Sequence, residues 1–193
     1  KMNEGTDRLA DYLVHYPQGE YAAQAVDHLK DAYLNDPDVD KALASIERIT
    51  PLPAPLRRTL EKVRLRSANT QLDKGNTSSA SRQYDNIIRN NADPASVAEA
   101  HLWKGEVAYR EGRYGDAIAS TQSYLKVRPQ DTPVNPNAYY NLGYAYYNLS
   151  RWREAEESFR EFLRVRPDAT ADEQTVIYSR LADIEVFGRN YSR

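Results

Sequence analysis

Length, composition and charge narrow the classes of protein that this chain can represent. It has 193 residues, 40% of them hydrophobic and 28% charged, and no apolar run approaches the ~20 residues that a membrane-spanning helix needs. The net charge of −2 provides no field to attract nucleic acid, and the absence of cysteine excludes disulfides, thiolate zinc sites and cysteine nucleophiles. We therefore expect neither nucleic-acid binding nor direct membrane insertion, and the compartment stays open.

Amphipathic helices are predicted along the whole chain. The first places Leu9, Tyr12, Leu13 and Tyr16 three or four residues apart, which is the spacing of one helical face. The pattern returns repeatedly, and no stretch shows the alternation that is typical of strands. In chain order the predicted helices are 5–16, 21–35, 38–50, 56–74, 77–90, 95–111, 114–127, 137–149, 152–165 and 172–187.

A repeat of 37 or 38 residues underlies these helices. Ala42, Ala80, Ala117 and Ala155 recur in similar settings at spacings of 38, 37 and 38 residues. A larger residue follows each alanine at the fourth and at the seventh position, so each alanine is predicted to begin the buried stripe of a helix. The following residues are Ile46, Tyr84, Thr121 and Phe159 at the fourth position, and Ile49, Ile87, Tyr124 and Phe162 at the seventh.

Helix breakers divide each repeat into two helices. A breaker or near-breaker lies five residues before each alanine, and a proline follows about a dozen residues after it. A small residue twelve positions before the last three alanines would let two helices approach closely. The unit is therefore predicted to be a helical hairpin in an all-α chain. The breakers are Pro37, Gly75, Gly112 and Ser150, and the small residues are Ala68, Gly105 and Gly143.

The unit at 136–167 resembles the tetratricopeptide repeat family. It matches the family's Leu-Gly, Tyr, Ala, Phe and Pro signature, whereas the unit at 98–129 keeps fewer of these residues and the earlier units keep mainly the spacing. The resemblance implies a right-handed α-solenoid of about ten helices in antiparallel pairs. The matching residues are Leu142, Gly143, Tyr146, Ala155, Phe159 and Pro167.

A single array over residues 1–193 is expected. Neither terminal helix shows a convincing polar capping face, so we expect a segment of a longer repeat protein, with further repeats or domains of the same chain as partners. The alternative is a complete protein closed by single helices. The predicted parts are a lone second helix at 5–17, hairpins at 21–53, 56–94, 95–129 and 136–167, and a final first helix at 172–193.

The junction after the first helix resembles a narrower group of proteins. Tyr16, Pro17, Gly19, Tyr21 and Ala22 look like the YP-x-G/S-x-YA junction of bacterial envelope repeat proteins. Examples are the TolA-binding cell-division coordinator family and outer-membrane assembly lipoproteins. This short motif favours the bacterial periplasm or cell envelope over the cytoplasm without deciding the localisation.

The resemblance implies a scaffold that binds a protein or peptide segment in a concave groove, with no cofactor. If Leu142 and Gly143 pack inward, Tyr140, Tyr144 and Tyr147 form a stripe along a neighbouring face of the same helix. Half-buried packing would account for the stripe equally well. The candidate contact residues are Glu106, Tyr109, Tyr140, Asn141, Tyr144, Tyr147 and Arg180.

A clamp for the C-terminal carboxylate of chaperones is not expected. Of the positions that would form it, only Asn141 and Arg180 carry suitable residues, and Glu106 would repel a carboxylate.

The remaining charged residues favour structural roles. Five cations within 56–66 could bind an acidic peptide or phosphate, but their spacing is that of a solvated helical face. Glutamate and arginine alternate along 152–165, which is typical of exposed ion pairs. His15, His28 and His101 lack metal-ligand spacing, and no phosphate loop or nucleophile elbow occurs. We predict no catalytic or metal residue, and therefore no enzyme.

Two other functions remain open from the sequence. Tyrosine and tryptophan faces can stack on sugar rings, which would make the chain a glycan-binding module of a cell-envelope complex. The repeats could also position a substrate for a catalytic domain elsewhere in a longer chain.

Overall fold

The computed structural model describes residues 4–191, with side chains described over 4–188, and this part of the chain contains ten α-helices. Consecutive helices form the predicted antiparallel hairpins. The helices are α1 Glu4–His15, α2 Ala22–Asn35, α3 Val39–Glu47, α4 Ala54–Asp73, α5 Thr77–Asn90, α6 Pro94–Arg110, α7 Tyr114–Val127, α8 Asn137–Asn148, α9 Trp152–Val165 and α10 Ala171–Tyr191.

The prolines near residue 50 lie between two helix boundaries that differ from their predicted places, the end of α3 and the start of α4. Helix α3 ends at Glu47, three residues before the predicted end. Thr50 precedes Pro51, and the residue before a proline is disfavoured in helical conformation. Helix α4 then begins at Ala54 with Pro55 in its first turn, where the missing N–H of proline is tolerated.

The predicted buried stripe of each second helix is confirmed. Ala42, Ala80, Ala117 and Ala155 are each at most 1% exposed. All eight residues at the fourth and seventh following positions are at most 2% exposed. The periodicity of the sequence therefore predicts the buried face of the second helix correctly in all four repeats.

The predicted breakers Gly75, Gly112 and Ser150 share one backbone conformation. Their φ angles are 81°, 73° and 55°, which lie in the left-handed region that ends many helices. Glycine adopts this region without the steric penalty of a Cβ, whereas Ser150 adopts it at some cost.

Two glycines mark places where the helices of a hairpin approach closely. A Cβ atom at Gly143 would lie 2.5 Å from two ring carbons of Phe159 on α9. A Cβ atom at Gly105 would overlap the hydroxyl of Thr121 on α7. The predicted close approach at small residues is therefore confirmed at both glycines.

Contacts divide the chain into two compact units, Lys1–Ala100 and His101–Arg193, with the division inside α6. Each unit has its own core. The right-handed array stays a prediction. Core residues of the first unit include Leu13, Leu29, Tyr33, Ile46 and Leu56, and those of the second include Leu142, Tyr146, Phe159, Phe162 and Ile177.

A buried ion network joins three helices of the first unit. Arg64 contacts Glu61 at 3.2 Å and Glu47 at 2.6 Å, and the amide of Asn90 donates to Glu61 at 3.1 Å. Glu61 is 2% exposed, and burial raises the pKa of its carboxyl against the opposing effects of Asn90 and Arg64. The network links the end of α3 to α4 and α5.

Two of the five cations predicted on a solvated face of α4 therefore have other roles. Arg64 is only 8% exposed, and Arg66 donates to the carbonyl oxygens of Leu34 at 2.6 Å and Asp36 at 3.1 Å. Arg66 thereby satisfies carbonyls at the end of α2. Arg58 and Lys62 are exposed, as the amphipathic pattern predicts.

Helix α9 carries the predicted exposed ion pairs of Arg153, Arg160 and Arg164, and Arg151, just before the helix, forms one more. The pairs are Arg151–Glu154 at 2.5 Å, Arg153–Glu157 at 3.1 Å, Arg160–Glu156 at 2.8 Å and Arg164–Glu161 at 2.8 Å. Exposed pairs of this kind stabilise a helix by only a few tenths of a kcal/mol, about 0.3–0.5 each.

Candidate functional site

Helix α8 presents three tyrosines along one side. Tyr140, Tyr144 and Tyr147 lie four and three residues apart, so they fall on neighbouring turns of the helix. Each is half-buried. The rings of Tyr140 and Tyr144 are 4.8 Å apart and tilted by 50°.

Each of these tyrosines rests on an aromatic ring of α9. Tyr140 lies 5.6 Å from Phe162, Tyr144 lies 5.1 Å from Phe159 edge to face, and Tyr147 lies 5.4 Å from Trp152 edge to face. Such aromatic pairs hold the rings in defined orientations. The tyrosines therefore pack on the adjacent helix and also expose part of each ring.

Helix α10 places Arg180 against the same tyrosines. Its guanidinium lies 5.5 Å from the centre of the Tyr147 ring, and its Nη1 donates to Asp183 at 2.6 Å. Interactions with the hydroxyls of Tyr147 and Tyr144 raise the pKa of Arg180. The Nε atom of Arg180 is buried and has no hydrogen-bond partner within the part of the chain that the structure describes.

Tyr109 and Glu106 extend this surface from α6. The ring of Tyr109 lies 5.6 Å from that of Tyr114, and burial raises the pKa of its hydroxyl. Glu106 pairs with Arg110 at 2.7 Å, and its charge contributes to raised pKa values at Tyr109 and Tyr140. We call Tyr109, Tyr140, Tyr144, Tyr147 and Arg180 the tyrosine surface, with Glu106 beside it.

The other candidate contact residue lies below this surface. Asn141 is 5% exposed, because its position on α8 turns it into the packed side of the helix. Asp183 was not among the candidates, although it receives hydrogen bonds from Arg180 and, at 3.4 Å, from the hydroxyl of Tyr147. The signal that could have found it is its place three residues after Arg180 on one helix.

The environment of Tyr140 suppresses ionisation of its hydroxyl. Burial, followed by the effects of Tyr144, Tyr109 and Glu106, raises the pKa of Tyr140 to about 12. At neutral pH the surface therefore offers neutral hydroxyls and one guanidinium, which suit hydrogen bonding and aromatic contact rather than acid–base chemistry.

The tyrosine absorbance titration should show this shift. In the folded chain Tyr140 is expected to ionise near pH 12, well above the ordinary tyrosine value of 10.0. Because the unfolded chain would ionise this tyrosine first, its contribution to stability should be lost as the pH rises from 10 to about 12. The absorbance at 295 nm, followed with circular dichroism to confirm folding, should lose its latest step in Tyr140→Phe. An absorbance titration curve of Tyr140→Phe that matches the wild-type curve near pH 12 would contradict the raised pKa of Tyr140.

Over residues 4–188 no group of three or more His, Asp or Glu side chains could hold a metal ion. None of the helices in the described region combines the length and apolarity that crossing a bilayer requires.

Comparison with known proteins supplies the family. Two models described as "Tetratricopeptide repeat" match residues 65–136 and 136–169, which together are more than half of the chain. The chain belongs to the tetratricopeptide repeat family. The second match contains α8 and α9, so the three tyrosines of α8 lie on the first helix of a tetratricopeptide repeat. Such repeats are generally protein–protein interaction modules and are typically not catalytic.

Solved structures share the fold at low sequence identity. MamA 41-end from Desulfovibrio magneticus RS-1 has a TM-score of 0.54 and 14% identity, covering 89% of this chain and 97% of that chain. PilW, described as a widely conserved type IV pilus biogenesis factor, has a TM-score of 0.53 and 17% identity, covering 96% and 92%. No curated protein sequence matches the chain significantly.

Proposed function

We propose that this tetratricopeptide repeat chain is a scaffold that holds a segment of a partner protein on the tyrosine surface. The observation that carries the proposal is the partly exposed group of tyrosines around Arg180, each backed by an aromatic ring. Tyrosine and arginine are enriched among residues that dominate binding energy at protein interfaces. Rings held in place by α9 lose little conformational entropy on binding, which favours affinity.

The charges of the surface are consistent with a peptide ligand. Glu106 and Asp183 lie beside Tyr109 and Arg180, and both are paired with arginines at 2.7 and 2.6 Å. The surface therefore offers hydrogen-bonding groups without a strong net charge, which suits a polar and aromatic contact. The bacterial envelope setting is part of this proposal and rests on the junction at 16–22.

The test is affinity capture from a lysate of the source organism with quantitative mass spectrometry. The variant Tyr140→Phe/Tyr144→Phe/Tyr147→Phe/Arg180→Ala retains the rings that pack on α9 but removes the three hydroxyls and the guanidinium. It should recover the specific partner about tenfold less well than wild type, because partner hydrogen bonds and the arginine contact are lost.

A second variant and a control separate this effect from misfolding. The triple variant Tyr140→Ala/Tyr144→Ala/Tyr147→Ala should also lose capture, with retained helicity confirmed by circular dichroism. Tyr178→Ala removes a tyrosine that is 57% exposed on α10 and outside the tyrosine surface, and it should capture the partner normally. Equal recovery by wild type and both surface variants would contradict the proposal. Saturable binding of oligosaccharides with quenching of Trp152 fluorescence would instead support the glycan-binding alternative.

A further inference from the structure

A cavity of about 310 Å³ lies next to the tyrosine surface, between α8, α9 and α10. Its apolar wall is formed by Tyr140, Phe162 and Val176. Phe162 is 2% exposed and forms part of the core, whereas Val176 is 44% exposed although it is a large apolar residue. Tyr140 belongs to both features, so the cavity is continuous with the tyrosine surface.

The charged rim of the cavity is unevenly neutralised. Arg166 pairs with Glu173 at 3.0 Å, and Glu173 also accepts a hydrogen bond from the Thr170 amide at 2.9 Å. Asp172 is exposed and has neither an ion pair nor a hydrogen bond with any side chain described in the structure. The rim therefore carries, beside an apolar wall, one carboxylate in the first turn of α10 that has no ion-pair partner among the described side chains.

The size of the cavity suits one large side chain of a peptide. Pockets that enclose small molecules have volumes of roughly 300–1,000 Å³, so this cavity is at the lower end of that range. An extended peptide that crosses the tyrosine surface can place one large apolar side chain in such a space. Because side chains of an extended peptide stand only a few ångströms apart, a neighbouring basic residue can reach the rim at the same time.

We propose that this cavity is the anchor pocket for a leucine- or phenylalanine-sized side chain of the partner segment, and that Asp172 pairs with a lysine or arginine within two residues of it. This inference rests on the proposed function and specifies the partner's chemistry. Apolar contact with Tyr140, Phe162 and Val176 provides the affinity, and complementarity with Asp172 provides the preference for a basic neighbour.

Selection of random peptides displayed on phage, with the full chain as bait, tests the preference directly. Enriched sequences should share one large apolar residue with a lysine or arginine within two positions. A synthetic peptide of the most enriched sequence is then the probe for fluorescence polarisation. Enriched sequences that lack this pair would overturn the inference, as would the absence of any enriched sequence.

Two substitutions in α10 test the pocket with that peptide. Val176→Asp places a charge on the apolar wall and should weaken binding about tenfold or more, whereas Val186→Asp is the matched control at a valine that is 60% exposed on the same helix. Asp172→Lys should weaken binding about three- to fivefold, the effect of one exposed pair. Replacing the basic residue of the peptide by glutamate should restore binding to Asp172→Lys but not to wild type.

The outcomes separate this inference from the proposed function. If the tyrosine-surface variants lose the peptide but Val176→Asp and Asp172→Lys bind it normally, the anchor pocket is wrong and the tyrosine surface stands. If none of these variants changes the affinity, both proposals fail.

Discussion

Replacing Arg64 by alanine is expected to lower the free energy of unfolding of the first unit by about 3–5 kcal/mol. The substitution leaves Glu61, which is 2% exposed, without the cation that lies 3.2 Å away. Burial already raises the pKa of Glu61, so the carboxylate is costly to keep charged even with Arg64 present. Removal of one partner from a buried pair is therefore far more damaging than removal of an exposed pair.

Urea unfolding followed by circular dichroism, together with hydrogen exchange of α3 to α5, measures this effect. Both tryptophans, Trp103 and Trp152, lie within the second unit, so tryptophan fluorescence reports the other half of the chain. Arg58→Ala on the same helix is the control; Arg58 is exposed, and its loss should change stability by less than about 0.5 kcal/mol. An unchanged unfolding midpoint in Arg64→Ala would show that the network does not stabilise the unit.

Replacing Glu61 and Arg64 together distinguishes the cost of an unpaired buried carboxylate from the cost of lost packing. Glu61→Leu/Arg64→Met removes both charges and retains apolar volume, so it should cost less than Arg64→Ala alone. A double variant that is no more stable than Arg64→Ala would indicate that the loss comes from packing rather than from the uncompensated carboxylate.

Gly143→Ala is expected to lower the free energy of unfolding of the second unit by about 1–3 kcal/mol. The new methyl group would lie 2.5 Å from the ring of Phe159, which is fully buried and holds Tyr144 edge to face. Neither ring can move without disturbing the core of the second unit or the tyrosine surface. Gly143→Val should cost more than Gly143→Ala, since its side chain is larger.

Tryptophan fluorescence during urea unfolding follows this unit directly, because Trp152 begins α9. Gly115→Ala is the matched control: no atom lies within 4 Å of its added Cβ, and the change should stabilise α7 by up to about 1 kcal/mol. Phe159→Leu frees space for the new methyl group. The stability lost in Gly143→Ala/Phe159→Leu should therefore be smaller than the sum of the losses in the two single variants. Full additivity would contradict the close approach at Gly143.

The sequence alone was sufficient for the hairpins and their buried faces. Ala42, Ala80, Ala117 and Ala155 identified the packed stripe because a helix brings positions four and seven residues apart onto one side. Gly75, Gly112 and Ser150 identified the turns because each is a breaker or near-breaker five residues before a packed alanine, and the glycines adopt the left-handed backbone without strain. Both signals depend only on residues that lie near one another in the chain, so the sequence is enough to detect them.

The candidate site was only partly predictable. Helical spacing placed Tyr140, Tyr144 and Tyr147 along one side of α8, but it could not show that each rests on a ring of α9. Asn141 was a candidate because it occupies a position of the carboxylate-clamp pattern, and the structure buries it.

Tertiary structure alone decided which side chains of different helices meet. The network of Arg64, Glu61, Glu47 and Asn90, the contact of Arg180 with Tyr147 and the cavity beside Tyr140 all join residues from separate helices. Periodicity determines which face of a helix is buried, because that depends on the rise and turn of one backbone. Which neighbour covers the face, and at what distance, depends on how side chains of several helices fit together.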